Sequence, residues 1–219
     1  MSNKDEIELK VAEFLLQIKA IKLKPNDPFT WASGWKSPIY CDNRVTLSHP
    51  TIRTYIRQKL TSLVQEEFGS VSVIAGVATA GIPQGVLVAQ ELGLPFIYVR
   101  SEPKNHGRGN LIEGEFSEGQ RVVVVEDLIS TGKSSLQAVD ALREAGLEVA
   151  GLVGIFDYGF DAAIDNFKNA KCRFSTLCNY NVLIEYAAKH SFVSEDDLNL
   201  LRKWRENPSE WDNTIQSIA

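Results

Sequence analysis

The 219-residue sequence has few of the residues from which disulfide frameworks and transition-metal sites are built. Its three cysteines, Cys41, Cys172 and Cys178, are odd in number, and none stands in a C-x-x-C pair. This count and spacing argue against a disulfide framework and against a structural zinc site. The three histidines are scattered along the chain, which removes the other common source of transition-metal ligands.

Long hydrophobic runs and an excess of positive charge are also missing. No apolar run approaches the roughly 18 residues of a membrane-spanning helix, and the start, MSNKDEIELK, lacks the apolar core of a signal peptide. The formal net charge is −5, whereas nucleic-acid binders are expected to carry a basic excess or patch. We therefore expect a cytoplasmic protein, one domain with additions, that binds neither nucleic acid nor membranes.

The most informative segment is VVVVEDLISTGKSS, from Val122 to Ser135. Its four valines predict a strand buried on both faces, as in a parallel sheet. The residues from Ser130 to Ser134 can open the next helix, whose unpaired N–H groups and positive dipole end attract a phosphate. Between them stand Glu126 and Asp127, whose carboxylates can accept hydrogen bonds from ribose hydroxyls. The segment therefore predicts a site for a phosphorylated sugar.

Two alternatives fit parts of this segment. Gly132, Lys133 and Ser134 match the end of the nucleotide-triphosphate loop G-x-x-x-x-G-K-[ST]. Asp127 stands where that loop has its first glycine, and with Glu126 it would repel a triphosphate. A buried strand that ends in a polar helix cap and binds nothing would explain the serines and threonine, but it leaves the adjacent acids unexplained.

Hydrophobic periodicity predicts alternating strands and helices from residue 71 onward, which implies parallel βαβ units and an α/β fold. The predicted strands are 71–77, 96–100, 121–125, 149–157 and 174–177, and the predicted helices are 5–21, 50–68, 82–92, 132–145, 161–169, 180–189 and 195–206. A loop-rich stretch, 25–49, separates the first two helices. Ligands of such sheets bind beyond the carboxyl ends of the strands, where the strand order reverses.

Three polar or glycine-rich loops follow predicted strands and could surround one phosphorylated ligand. They span 78–83, 101–114 and 126–134. In the first, Ala78-Thr79-Ala80-Gly81 lets the backbone approach a diphosphate at a helix start. A tight turn that binds nothing would need small residues as well.

The second loop is basic and glycine-rich, with few side chains that could anchor it, so we expect it to be mobile when empty. Arg100, Lys104, His106 and Arg108 could close over a charged anion, neutralise it and exclude water. A solvated surface loop without function is the alternative.

The segment from Phe29 to Arg44 mixes aromatic, hydroxyl and amide side chains outside the predicted sheet. It could cover a flat heteroaromatic substrate. It could equally be a dimer flap or part of the core, since no spacing rule distinguishes these.

Together these motifs resemble the type I phosphoribosyltransferases, and most specifically the orotate phosphoribosyltransferases. Residues 122–135 are similar to the phosphoribosyl-diphosphate signature, and F-T-x-x-S-G-x-K-S-P-x-Y at 29–40 is similar to the hood that separates this family from purine salvage relatives. The resemblance runs from about residue 25 to about residue 185. It implies a type I phosphoribosyltransferase fold, with a mainly parallel central sheet flanked by helices. The whole chain, 1–219, would be one domain with a hood at about 22–48 and a mobile loop at about 101–114.

The resemblance also implies a reaction. The 5-phosphoribosyl group of 5-phospho-α-D-ribose 1-diphosphate would pass to orotate, giving orotidine 5′-monophosphate and diphosphate in pyrimidine (UMP) biosynthesis. Mg²⁺ would be the cofactor, carried mainly by the diphosphate substrate rather than by a protein metal site. The partner would be a second copy of the chain, in a homodimer whose mobile loop crosses the interface.

The family's functional residues map onto matching positions of this chain. The resemblance assigns catalysis to Arg100, Lys104, His106 and Asp127, with Lys104 and Arg100 neutralising the diphosphate and His106 able to protonate it. It assigns substrate binding to these residues and to Thr79, Ala80, Gly81, Glu126, Leu128, Ile129, Ser130, Thr131, Gly132, Lys133 and Ser134. Within that set the acids would hold the ribose, and Ser130 to Ser134 would hold the 5′-phosphate.

The chain departs from one branch of the family at groups that are basic or aromatic there. It has Ala32 in place of Lys, Thr79-Ala80 in place of Tyr-Lys, Ser101 in place of Lys and Tyr158 in place of Arg. Sequences with T-A-G-I-P in the diphosphate turn resemble a second branch, which this chain matches. Recognition of the orotate carboxylate then falls to Ser130 and hood backbone groups, with Lys36 and Arg44 as further candidates.

Two rival functions share the ribose-phosphate motif. A purine or uracil salvage phosphoribosyltransferase would keep that motif and replace the hood. A regulator that senses phosphoribosyl diphosphate and controls nucleic acid would normally carry an added winged helix or a basic face, and the short acidic start of this chain argues against it.

Overall fold

The structure is a computed structural model that describes residues 2–31, 34–102 and 111–211. In these ranges the α-helices are α1 Asn3–Gln17, α2 Pro50–Phe68, α3 Gly81–Leu92, α4 Lys133–Glu144, α5 Asp161–Asn169, α6 Tyr180–Lys189 and α7 Glu195–Glu206. The strands are β1 Ile21–Leu23, β2 Phe29–Thr30, β3 Lys36–Ser37, β4 Ile39–Cys41, β5 Val73–Val77, β6 Phe96–Val99, β7 Ile112–Glu113, β8 Arg121–Ile129, β9 Glu148–Asp157 and β10 Phe174–Asn179. Short 3-10 helices lie at Asn43–Ser48 and Pro208–Glu210.

The centre of the fold is a six-stranded sheet in the order β10-β9-β8-β5-β6-β7. Every neighbouring pair is parallel except β6 and β7. The valines from Val122 to Val125 are fully buried, because β8 lies between two strands and is covered on both faces. The predicted α/β fold with a mainly parallel sheet is confirmed.

Strand order reverses beside β5, which places a cleft at the carboxyl ends of β5 and β8. The two strands pair from Val73↔Val122 to Gly76↔Val125, and their pairing ends there. Strand β8 continues to Ile129 and pairs with β9 alone. Its last residues therefore have a neighbouring strand on one side only.

Helices cover both faces of the sheet and bury two hydrophobic clusters. One cluster joins α1, α2 and α6, through residues such as Leu15, Ile56 and Leu183, to one face. The other joins α4 and α5, through Val139 and Phe167, to the opposite face. Among the described residues, no helix is both long and apolar enough to cross a bilayer.

The hood segment, residues 22–48, forms short antiparallel strands instead of a plain loop. Strand β1 pairs with β4, and β2 pairs with β3. The C-terminal helix fastens this segment, because the indole Nε1 of Trp204 in α7 donates to the Lys36 carbonyl at 3.3 Å. The Trp204 ring also packs against Trp31 of the hood, with centroids 5.7 Å apart.

Several predicted boundaries agree with the structure, and two are wrong in ways that matter. The bounds of α2, α5, α6 and α7 are as predicted. Helix 5–21 instead ends at Gln17, Lys19 adopts a positive φ of 58°, and Ile21 begins β1. The loop predicted at 126–134 is shorter, because the residues from Glu126 to Ile129 belong to β8. Pairing with β9 overrides the low strand propensity of two adjacent acids.

Candidate active site

The cleft brings together the first and third predicted loops. Gly81 opens α3 directly above β8: a Cβ atom on it would lie 2.5 Å from the Val125 carbonyl oxygen and 3.4 Å from Glu126 Oε1. Only glycine fits so close an approach. The preceding turn contains a cis peptide bond between Ala78 and Thr79. The predicted diphosphate turn and the acidic strand thus form adjoining walls.

The two acids have different surroundings. Glu126 is 5% exposed, and its carboxylate accepts hydrogen bonds from Ser135 Oγ at 3.2 Å and from the Asp127 N–H at 3.0 Å. Burial removes it from water and the negative charge of Asp127 adds to the effect, so the pKa of Glu126 lies well above its usual value. Glu126 is therefore the inner acid of the pair, with little surface of its own in the cleft.

Asp127 is half-buried and is the more accessible acid. Burial raises the pKa of Asp127, and the positive charge of Arg44 works against this rise. Arg44 itself forms a forked ion pair with Asp42, through contacts of 2.6 and 3.0 Å. A cation of the hood thus lies within electrostatic range of Asp127, the less buried acid of the pair.

The third wall is the phosphate loop that follows β8. A cavity of about 320 Å³ lies against it, lined by Leu128, Ser130, Thr131, Gly132, Lys133, Ser134, Ser135 and Gln137. Helix α4 begins at Lys133, and no side chain of the described residues caps its first N–H groups. Such free N–H groups at a helix start are suited to an anion.

Two contacts fix the shape of this loop. Gly132 has a φ of 77°, and a Cβ atom on it would lie 2.6 Å from the Phe167 ring. The amide of Asn166 donates to the Thr131 carbonyl at 3.0 Å. The loop is therefore held by α5 before any ligand arrives.

A second cavity, of about 310 Å³, lies between the ends of β5 and β6 and the length of α4 from Ser134 to Glu144. Arg100 lies at its rim: its N–H donates to the Leu111 carbonyl at 2.8 Å, and its Nη1 donates to Glu113 Oε1 at 3.4 Å. The strands β6 and β7 thus form the stem of the loop 101–114. Lys104, His106 and Arg108 lie outside the described residues.

The hood positions named from the sequence are only partly brought to the cleft. Lys36 Nζ donates to Thr30 Oγ1 at 3.0 Å, within its own hairpin. Tyr158, which stands where one branch of the family has Arg, is 2% exposed and packs against Trp31, Phe160 and Trp204. An aromatic cluster therefore occupies this position. Ala32 lies outside the described residues.

A larger cavity, of about 510 Å³, lies away from this cleft, along β10 and between α1, α2 and α7. None of the site residues predicted from the sequence lines it. Its buried acid, Asp157, already accepts hydrogen bonds from the Gly159 N–H at 2.8 Å and from the Thr176 hydroxyl. The smaller cavities at the strand ends are better suited to phosphates, because there the helix N–H groups are free.

Sequence reasoning missed two residues that contact the acids. Ser135 donates to Glu126, and Asn43 Nδ2 donates to the Asp127 carbonyl at 2.6 Å. Ser135 directly follows the phosphate loop, and this position was a usable signal. Asn43 is 84 positions away from Asp127, and no local pattern could indicate the contact.

Comparisons with known proteins show the family to which the chain belongs. Residues 47–178 match the family described as phosphoribosyl transferase domain. An orotate phosphoribosyltransferase of Phocaeicola vulgatus is 56% identical over 206 residues, which are 94% of this chain and 97% of the relative. The crystal structure of orotate phosphoribosyltransferase from Aeropyrum pernix has a TM-score of 0.74 and 28% identity, and the match covers 84% of this chain and 99% of that one.

A second similar structure contains a bound ligand. It is the Mycobacterium tuberculosis orotate phosphoribosyltransferase in complex with 5-phospho-alpha-D-ribosyl 1-diphosphate. Its TM-score is 0.63 at 26% identity, and the match covers 81% of this chain and 98% of that chain.

The raised pKa of Glu126 predicts how stability changes with pH. Below the pKa of about 4.3 of an unfolded glutamate, Glu126 is protonated in both the folded and the unfolded chain, so its ionisation does not change the free energy of unfolding. Above it, the unfolded chain releases the proton first, so stability falls as pH rises toward the folded pKa. Urea unfolding should therefore show that Glu126→Gln is more stable than the unchanged protein at pH 8, and that the difference shrinks at pH 5.

Glu206→Gln, which changes an exposed glutamate at the end of α7, is the matched control and should show no such trend. A Glu126→Gln variant that is less stable than the unchanged protein at pH 8 would show that the buried carboxylate is well solvated or fully paired.

Proposed function

The chain belongs to the phosphoribosyltransferase family, and from that membership we propose how its own residues divide the reaction. It acts as an orotate phosphoribosyltransferase, which joins orotate and 5-phospho-α-D-ribose 1-diphosphate into orotidine 5′-monophosphate and releases diphosphate. The observation that carries this function is 56% identity over 94% of the chain to a curated relative of that name. The chain is one catalytic domain, 1–219, with the hood at about 22–48 and the loop at about 101–114.

Asp127 binds the ribose, with the buried Glu126 behind it, and the residues from Ser130 to Ser134 bind the 5′-phosphate. Support comes from the partial exposure of Asp127 near the end of β8, where β5 no longer pairs, and from the free N–H groups at the start of α4. Glu126 supports the backbone behind the ribose site, because its carboxylate accepts hydrogen bonds from Ser135 and from the Asp127 N–H. Leu128 and Ile129 bridge the acids and the phosphate loop within β8.

The diphosphate lies on the turn from Thr79 to Gly81, with Arg100, Lys104 and His106 arriving from the loop 101–114. The closeness of Gly81 to β8 supports this placement, because it leaves backbone rather than side chain at the wall of the cleft. Arg100 would exchange its 3.4 Å contact with Glu113 for the diphosphate when the loop closes.

The chemistry follows from charge. Breaking the bond between ribose C1 and the diphosphate oxygen leaves positive charge on the ring and negative charge on the leaving group. The Asp127 carboxylate stabilises the ring, Lys104 and Arg100 neutralise the diphosphate, and His106 can donate a proton to it. The anionic pyrimidine nitrogen of orotate then attacks C1 from the opposite face, so the protein supplies no nucleophile.

The donor set suits Mg²⁺ carried by the substrate. Mg²⁺ prefers a few carboxylates together with substrate phosphates and water, and Asp127 offers one hard oxygen ligand at the cleft. When bound, the ion would neutralise phosphate oxygens of the leaving diphosphate.

The orotate ring lies under the hood, where Ser130, hood backbone groups, Lys36 and Arg44 are the candidates for its carboxylate. Arg44 is supported as a candidate because its positive charge opposes the rise in the pKa of Asp127, the acid proposed to bind the ribose. A pathway role in UMP biosynthesis follows from the product. The cytoplasmic location expected from the sequence stays a prediction.

The functional unit is a homodimer in which the loop 101–114 of one subunit serves the site of the other. The face formed by α2 and α3 supports this proposal. There Val86 is 42% exposed, beside a groove of about 490 Å³ lined by Leu47, Arg53, Thr54, Arg57, Pro83, Leu87 and Gln90. A second copy would cover this groove.

The first prediction from this function concerns substrate and metal. The purified protein should consume orotate, followed by ultraviolet absorbance, only when phosphoribosyl diphosphate and Mg²⁺ are both present. Uracil and adenine should not replace orotate. Turnover of either base in place of orotate would identify a salvage enzyme, and full activity in EDTA would exclude the proposed Mg²⁺ requirement.

The second prediction concerns Lys104. Its charge is expected to act on the departing diphosphate in the transition state, so Lys104→Ala should lower kcat by about a hundredfold or more. The KM for phosphoribosyl diphosphate should change much less. The matched control is Lys189→Ala, at the exposed end of α6, which should leave both constants unchanged. An unchanged kcat in Lys104→Ala would remove this residue from the mechanism.

The third prediction concerns the shared site. Lys104→Ala and Asp127→Asn subunits should each be nearly inactive, because each breaks every site of its own homodimer. After subunit exchange, half of the dimers are mixed and contain one intact composite site, so about a quarter of the unchanged activity should return. If subunits exchange and the mixture stays inactive, each subunit completes its own site.

A further inference from the structure

The contact between Asn43 and Asp127 joins the hood to the half-buried acid of β8. Asn43 is fully buried at the start of the 3-10 helix Asn43–Ser48. Its Nδ2 donates to the Asp127 carbonyl oxygen at 2.6 Å, and its Oδ1 accepts from Cys41 Sγ at 3.4 Å. Both ends of the amide are therefore occupied, and its orientation is fixed.

The Asp127 carbonyl needs such a partner because β8 extends beyond β5. The pairing of the two strands ends at Gly76↔Val125, and the Val125 carbonyl oxygen faces the start of α3 at Gly81. Carbonyls two residues apart in a strand point the same way, so the Asp127 carbonyl faces the side where β5 has already ended. The Asn43 amide takes the place that a further strand residue would occupy.

The contact is one end of a longer buried chain of hydrogen bonds. Thr46 Oγ1 donates to the Asn43 carbonyl at 2.6 Å and accepts from Gln84 Nε2 at 3.3 Å. Gln84 lies in α3, directly after the turn that we assign to the diphosphate. Asn43, Thr46 and Gln84 are all buried. The chain thus links the hood, the helix behind the diphosphate turn and the acidic strand.

We propose that Asn43 is a positioning residue that holds the backbone of Asp127 so that its carboxylate meets the ribose. The proposal rests on the proposed function, since it deepens the role of the same site. The hood would then have two roles: it covers orotate, and through Asn43 it also holds the strand that binds the phosphoribosyl group. Displacement of a catalytic group by about 1 Å can cost about a hundredfold in rate, so a buried hydrogen bond on its backbone can matter greatly.

A double-mutant cycle separates positioning from a general effect on the fold. Asn43→Ala, Asp127→Asn and the double variant are compared by kcat/KM for orotidine 5′-monophosphate formation and by calorimetric Kd for phosphoribosyl diphosphate. If Asn43 acts through Asp127, Asn43→Ala should lower kcat/KM about tenfold or more alone. In the Asp127→Asn background, where the carboxylate is absent, Asn43→Ala should lower kcat/KM by less than about threefold. The calorimetric Kd supplies the same comparison if turnover of the double variant is below detection.

Asn179→Ala is the matched control. Asn179 is also an asparagine with one hydrogen bond to backbone, from the Val182 N–H at 3.1 Å, and it caps α6 away from the cleft. Its effect should be small and equal in both backgrounds. Circular dichroism and thermal melting confirm that the compared variants are folded. If Asn43→Ala does not fold, Asn43→Ser, which keeps a small polar side chain, enters the cycle in its place.

Equal losses from the Asn43 change in both backgrounds would overturn the positioning role, and so would no loss in the unchanged protein. Either outcome leaves the proposed function standing. Absence of orotate turnover in the unchanged protein would instead reject the proposed function itself.

Discussion

The site depends on the unequal lengths of two neighbouring strands. Strand β8 runs on from Glu126 to Ile129 after its pairing with β5 has ended. This leaves one edge of β8 bare at the point where strand order reverses, and two small contacts complete it: Gly81 from above and Asn43 from the hood. The acids can stand at a ligand cleft because β9 still holds the other edge. A β5 two residues longer would close the cleft with main chain.

Adjacent carboxylates on one strand repel each other, and here the negative charge of Asp127 adds to the raised pKa of Glu126, while the two acids have different surroundings. Glu126 is buried, bonded to Ser135, and has a pKa shifted well upward, whereas Asp127 is half-buried and lies near the positive charge of Arg44. Two acids with unlike surroundings can take unlike roles. In the proposed function Asp127 would carry the charge that faces the ribose, and Glu126 would support the strand behind it.

The central strand and the phosphate loop could be predicted from the sequence, because both depend on local patterns of residues. Four valines indicate a buried parallel strand, and a serine- and glycine-rich run before a helix indicates a phosphate loop; both are local signals. The different burial of Glu126 and Asp127 was not predictable, because residues distant in sequence, such as Gly81, pack against Glu126. The same holds for Asn43, whose partner is 84 positions away. The strands β1 and β4 were missed because each has three residues, too few for a period to show.

We propose that Asp127 and the phosphate loop hold the phosphoribosyl group, and the decisive experiment is a crystal structure with phosphoribosyl diphosphate and Mg²⁺. We expect ribose hydroxyls at about 3 Å from the Asp127 carboxylate and the 5′-phosphate on the N–H groups from Ser130 to Ser134. A phosphoribosyl group bound instead in the cavity beside Asp157, or bound in the cleft with Asp127 turned away from it, would refute this assignment.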